Sequence, residues 1–159
     1  MISTGVSAPD FTLPDESGNR VSLSSFKGKP VLLLFYPGDE TPVCTKELCS
    51  YRDNFGDLTA RGLTLLGIST DSAASHQKFK AKHHFPFALL SDSEKKVSRL
   101  YDALSILGVS QRAYVLIDAA GVIKLSFSEA LPIFYHTSGD LLKKIDAVLP
   151  RTGTASQPA

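Results

Sequence analysis

The stretch PVLLLFYPGDETPVCTKELCSYRDNF, residues 30 to 55, joins the most apolar run of the chain to both of its cysteines. Val31 to Tyr36 is continuously apolar and is bounded by Gly28-Lys29-Pro30 and Pro37-Gly38, which suits a strand covered on both faces. From Pro42 to about Thr59 the apolar positions 44, 48, 51, 55 and 58 recur at intervals of four, three, four and three, the pattern of a helix with one buried stripe. A buried strand running straight into an amphipathic helix is the start of an α/β fold.

Reading outward, turn formers at Asp15-Glu16-Ser17-Gly18-Asn19 between two short alternating segments predict an N-terminal hairpin. Gly62 ends the first helix and Leu63 to Ser69 reads as a second strand. Asp71 or Ser72 then caps a helix that stops near His84, ahead of Phe85-Pro86. FALLSD gives a third strand, Glu94 to Tyr101 a short helix, and a Ser- and Gly-containing loop runs to Gln111. AYVLID and VIKLSFS, separated by Ala119-Ala120-Gly121, predict a second hairpin, and Leu141 to Val148 a closing helix. The order implies a central mixed sheet with helices on both faces, in one domain over residues 1–149, followed by a polar tail over 150–159 expected to be disordered. In such open sheets chemistry gathers beyond the carboxyl ends of the strands, and the cysteine stretch lies at such an end.

The whole chain narrows the function. At 159 residues and 43% apolar composition it can bury one sizeable core. Seventeen basic and sixteen acidic residues leave a net charge of +1 with no basic stripe, so neither nucleic acid nor an acidic membrane is an expected partner. No apolar run approaches the roughly 18 to 20 residues that span a bilayer. The opening MISTGVSAPDF lacks a basic segment followed by an apolar one, which predicts a soluble, cytoplasmic protein. Two close cysteines in a reducing compartment point to redox or metal chemistry rather than to a permanent staple.

Thr41 followed by Pro42 resembles a helix N-cap with proline at the first helical position, which makes Cys44 the third residue inside. Backbone N–H groups there lack helical partners and the dipole is positive, so a thiolate, the reactive form, is favoured. Periodicity alone leaves a second reading open, in which Cys44 is a small hydrophobe on the stripe with Leu48, Tyr51, Phe55 and Leu58. The helix start and the second cysteine weigh against it. Cys49 stands five residues on, so its Cα would lie about 8.7 Å from that of Cys44 in an intact helix. A disulfide needs Cα atoms within about 7 Å, so pairing of these thiols requires the helix start to unwind. A metal site is disfavoured because zinc ligands prefer closer spacings and further partners. His76, His83, His84 and His136 are candidates by type only, and His83-His84, beside lysines at a helix end, reads as solvated surface.

With these residues in hand the chain resembles the peroxiredoxins, most closely the Q-type or bacterioferritin-comigratory subfamily. The family signature of proline, three residues, threonine, two residues and cysteine is present as Pro37, Thr41 and Cys44. The subfamily's glutamate three residues later is Glu47 and its second cysteine is Cys49. Similarity extends through VSAPDFTLPDESGNRVSLSSFKGKPVLLLFYP, LLGISTDS and SQRAYVLIDAAGVI, covering about residues 5 to 149. The resemblance implies a thioredoxin-like fold and a cofactor-free thiol peroxidase acting on hydrogen peroxide and small organic hydroperoxides. In it Cys44 would be the peroxidatic thiol, Thr41 would place its hydroxyl against thiolate and peroxide, and Pro37 would shield the pocket. Arg112 would stabilise the thiolate and the developing charge, with Glu47 orienting it. Cys49 would resolve the sulfenic acid to an intramolecular disulfide, reduced by a thioredoxin- or glutaredoxin-like partner, in a protein that leans to a monomer. Without the resemblance Arg112 would read as an exposed charge and Glu47 as a solvated first-turn carboxylate.

Two other functions suit two thiols on this fold, a copper carrier of the chaperone kind and a redox sensor or holdase that signals by unwinding. The complete signature with Arg112 favours the enzyme. One departure from the relatives is Gly38-Asp39-Glu40 between Pro37 and Thr41, where a basic and an aromatic residue are common. If these carboxylates point inward they would disfavour the thiolate and repel anionic hydroperoxides, giving a preference for neutral peroxides.

Overall fold

The computed structural model describes residues 1–105, 108, 110–129 and 134–149. The expected tail over 150–159 and part of the loop before Gln111 lie outside the described residues. β1 (Thr12–Pro14) and β2 (Arg20–Ser22) form the N-terminal hairpin, in antiparallel register with Leu13 opposite Val21. The main sheet is built from β3 (Val31–Phe35), β4 (Thr64–Ser69), β5 (Ala88–Ser91), β6 (Ala113–Ile117) and β7 (Ile123–Ser128). Its order is β5-β4-β3-β6-β7, with β3, β4 and β5 parallel and β6 antiparallel to both β3 and β7. The helices are α1 (Pro42–Asp53), α2 (Phe55–Thr59), α3 (Ala73–His83), α4 (Lys96–Leu100) and α5 (Ser138–Val148).

The central strand explains why its sequence is apolar without alternation. Leu32, Leu34 and Tyr36 face a core shared with α1, α3 and α5, through Leu48, Tyr51, Phe79, Leu141 and Ile145. Val31, Leu33 and Phe35 face a second core closed by the hairpin and α4, through Phe11, Leu13, Val97 and Tyr101. Both faces of β3 are therefore dry. Gly67 of β4 leaves room for the neighbouring strand, since a Cβ there would stand 2.8 Å from Leu89 Cδ2 and the buried Leu89 side chain would have to shift. The hairpin turn also covers the β5 edge, where Glu16 Oε1 accepts from Leu89 N–H and from Lys80 Nζ.

Three boundaries differ from the sequence reading. The first helix is interrupted at Asn54, whose side-chain amide donates to the Ser50 carbonyl and competes with the helical ladder just before Gly56. The stripe nonetheless continues to the buried Leu58. α4 starts later than Glu94, because the buried Asp92 carboxylate accepts from the N–H groups of Val97 and Ser98 and so fixes the start. α5 begins a turn before Leu141, with the Thr137 hydroxyl accepting from Asp140 N–H, a start made of polar residues that carry no apolar period.

Candidate active site

Cys44 and Arg112 meet because of strand register. β6 runs antiparallel to β3 with Ala113 opposite Phe35, so Arg112, the residue before β6, emerges where β3 ends and the chain turns toward α1. Thr41 is the N-cap and Pro42 the first residue of α1, which makes Cys44 the third residue of a twelve-residue helix, as the sequence predicts. Its side chain is buried at 1% exposure. Arg112 Nη2 donates to Cys44 Sγ at 2.6 Å.

The guanidinium is held on its other sides. Arg112 Nε donates to Glu47 Oε1 at 2.8 Å, and Nη1 donates to the Phe134 carbonyl at 3.2 Å. Glu47 is fully buried and lies in the second turn of α1, not as the solvated first-turn carboxylate that the sequence read without the resemblance would give. The Tyr114 hydroxyl donates to Glu47 Oε2 at 2.7 Å and accepts from His136 N–H at 2.8 Å. The Tyr51 hydroxyl lies 3.1 Å from the same Glu47 oxygen and 2.6 Å from the His136 carbonyl, so its one proton faces two acceptors. Burial pushes the Glu47 carboxyl up to about 7, against the opposing pull of Arg112, Tyr114 and Tyr51. Burial works against the Arg112 charge, but Glu47 and Cys44 outweigh it and hold the guanidinium above its ordinary value.

Of the other predicted residues, Pro37 is half-buried in the loop between β3 and α1. The exposed Thr41 spends its hydroxyl proton on the Gly38 carbonyl at 3.0 Å, which leaves lone pairs as the free function of that oxygen. Cys49 lies half-buried on the same continuous helix as Cys44, and both thiols are free. The sequence reading missed Tyr51 and Tyr114 as anchors of the carboxylate. A signal existed for Tyr51, four residues after Glu47 and on the same helix face. Tyr114 gave none beyond being a phenol in an apolar strand.

Two readings are corrected. The condition for a preference for neutral peroxides is not met, because neither carboxylate of Asp39-Glu40 is directed at Cys44. Asp39 accepts from the Tyr36 hydroxyl, the Ser75 hydroxyl and His76 Nδ1, each at 2.7 Å, and its N–H donates to Asp71 Oδ2. Glu40, at a left-handed φ of 62°, pairs with Lys82 and His83 on α3. His83 is also not solvated surface. Its ring stacks on Phe85 and meets Phe79 edge-on, its side chain is 19% exposed, and His84 alone of the pair is open to solvent. Asp39, Asp71 and His76 are the one group among the described residues with ligand atoms close enough to share a cation. It contains neither cysteine, and its members are hydrogen-bonded to Tyr36, Ser69 and Ser75.

Comparison with known proteins agrees with this geometry. Residues 4–126 match the AhpC/TSA family, and the chain belongs to it. Peroxiredoxin Q, chloroplastic, of Oryza sativa subsp. japonica is 41% identical over 150 residues, covering 92% of this chain and 68% of that one. A bcp-type peroxiredoxin of Coxiella burnetii is 45% identical over 130 residues, covering 77% and 85%. The crystal structure of peroxidoxin BcpB from Mycobacterium tuberculosis superposes with a TM-score of 0.82 at 29% identity, covering 99% of this chain and all of that one. Within the family the chain is thus similar to the peroxiredoxins of the Q and bcp kind, and membership makes it a thiol-dependent peroxidase on a thioredoxin-like fold.

Proposed function

We propose that Cys44 is the peroxidatic thiol and Cys49 the resolving thiol of this enzyme. The observation that carries the assignment is the 2.6 Å contact from Arg112 Nη2 to Cys44 Sγ, with the same guanidinium fixed by Glu47. A cation held by a buried carboxylate needs no reorganisation when a peroxide arrives, and preorganised donors of this kind are a large source of rate acceleration. The Cys44 thiolate attacks the terminal peroxide oxygen, the O–O bond breaks to leave a sulfenic acid on Cys44, and the departing oxygen takes a proton from solvent to leave as water or alcohol. Thr41, with its own proton given to Gly38, has lone pairs to accept the peroxide O–H. Pro37 screens the thiolate from water at the mouth of the loop.

Cys49 then condenses with the Cys44 sulfenic acid to a disulfide with loss of water, which protects Cys44 from irreversible oxidation. Because α1 is continuous from Pro42 to Asp53, this step requires its first turns to open. A thioredoxin-like protein reduces the disulfide, and no metal, flavin or haem takes part. We further read residues 1–149 as one domain and the protein as a cytoplasmic monomer. The test is one equivalent of hydrogen peroxide added to the reduced protein, followed by intact mass and peptide mapping. Loss of two hydrogens with Cys44 joined to Cys49 supports the cycle, and absence of reaction over minutes defeats it.

A further inference from the structure

We propose that His83 is the general base that activates Cys49 for the resolving step, with Glu40 holding its ring. The inference rests on the assignment of Cys49 as the resolving thiol. His83 Nδ1 lies 3.9 Å from Cys49 Sγ, and Nε2 lies 3.7 Å from Glu40 Oε1. A carboxylate facing Nε2 favours the tautomer with its proton there, which leaves the Nδ1 lone pair toward the thiol. The ring is fixed between aromatic neighbours, with centroids 5.5 Å from Phe85 and 5.2 Å from Phe79. Arg52 Nη1 donates to the His83 carbonyl at 2.8 Å and ties the end of α3 to α1 three residues beyond Cys49. Thiol and carboxylate thus face opposite nitrogens of one imidazole, on three segments that the sequence separates by up to 43 residues.

Cys49 has use for a base. Burial pushes its thiol above the ordinary value, Arg52 pulls it down and Asp53 pushes it up, with a net upward shift. Disulfide formation depends on the thiolate fraction of the attacking sulfur, so an unassisted Cys49 would resolve slowly at neutral pH. The balanced sequence is a proton transfer from Cys49 to His83, attack of the Cys49 thiolate on the Cys44 sulfur with expulsion of hydroxide, and return of the proton from the His83 imidazolium through solvent to give water. The first transfer takes place in the closed helix, where the contact exists, so the thiol leaves α1 already charged. The charged groups around this pair are Glu40 from the loop, Lys82 paired with the same carboxylate, and Arg52 with its partner Asp53 from α1.

The experiment is quenched-flow trapping of free thiols with mass spectrometry on the full chain, comparing wild type, His83→Phe, which keeps an aromatic stack, and Glu40→Gln from pH 6 to 9. In His83→Phe, Cys44 oxidation should keep its rate while Cys44–Cys49 disulfide formation slows about tenfold or more at pH 7. The deficit should narrow toward pH 9 and be partly rescued by added imidazole, whereas Glu40→Gln should give a smaller slowing of the same step. Unchanged disulfide formation in His83→Phe overturns the proposal. A slowing that is equal at every pH and insensitive to imidazole also overturns it, because it marks a packing role only. If wild type itself forms no Cys44–Cys49 disulfide, it is the assignment of Cys49 that fails, and the role of His83 falls with it.

Discussion

Arg112 touches Cys44 across 68 residues of chain because Ala113 pairs with Phe35 in the centre of the sheet. Two strand ends, one entering and one leaving the sheet, bring a cation and a thiol to the same end of its interior strands. The carboxylate that positions the cation comes from the same helix as the thiol, three residues on, so the site is assembled from one helix turn and one strand end.

Arg112→Lys keeps the charge but cannot reach Glu47, the Phe134 carbonyl and Cys44 at once, as the planar guanidinium does. Oxidation of Cys44 by hydrogen peroxide should slow by about 10²- to 10³-fold, the usual cost of losing one preorganised donor. Stopped-flow peroxide consumption by the variant would measure it, and a loss under threefold would mean that Arg112 is structural.

The proposed roles assign the two thiols to different steps. Cys44→Ser should abolish peroxide reduction. Cys49→Ser should undergo one rapid oxidation per molecule and then stall, with Cys44 climbing to sulfinic acid as peroxide is raised. Intact mass after one and ten equivalents distinguishes the two variants, and equal loss of the first oxidation in both would reverse the assignment of roles.

Glu47 makes stability depend on pH. Its carboxyl is raised in the folded protein from 4.5 to about 7, so the native state holds a proton that the unfolded chain has already released between those values. That contribution is complete below about pH 4.5 and is lost as pH rises through about 7. Glu47→Gln lacks the titration, so its deficit relative to wild type should be larger at pH 5 than at pH 8 by about 2 to 3 kcal/mol. Urea denaturation at the two pH values reads this directly, and an equal deficit at both would show that Arg112 keeps Glu47 ionised throughout.

Asp39 joins the loop that precedes Thr41 to α3. Asp39→Ala strands Tyr36, Ser75 and His76 without their shared acceptor in a buried site, which should cost about 3 kcal/mol or more. Thermal unfolding gives the loss, and an unchanged melting temperature would show that the loop is held by other means.

The local elements were legible in the sequence because each rests on neighbours in the chain. The dry central strand, the Thr41-Pro42 helix start, the hairpins and the stripe from Cys44 to Leu58 all follow from spacing and from residues with strong backbone preferences. The peroxidase signature was legible for the same reason, since Pro37, Thr41, Cys44, Glu47 and Cys49 fall within thirteen residues. Where side chains point was decided only by tertiary structure. Glu47 and Arg112 look like surface charges until strand register buries them against each other with Tyr51 and Tyr114. Asp39 and Glu40, two acids beside the site in sequence, are turned away from Cys44 by partners on α3, and His83 is turned toward Cys49 by aromatic packing. Hydrogen bonds and charge pairs between distant segments carry no period, so only the packed sheet and helices determine which partners meet.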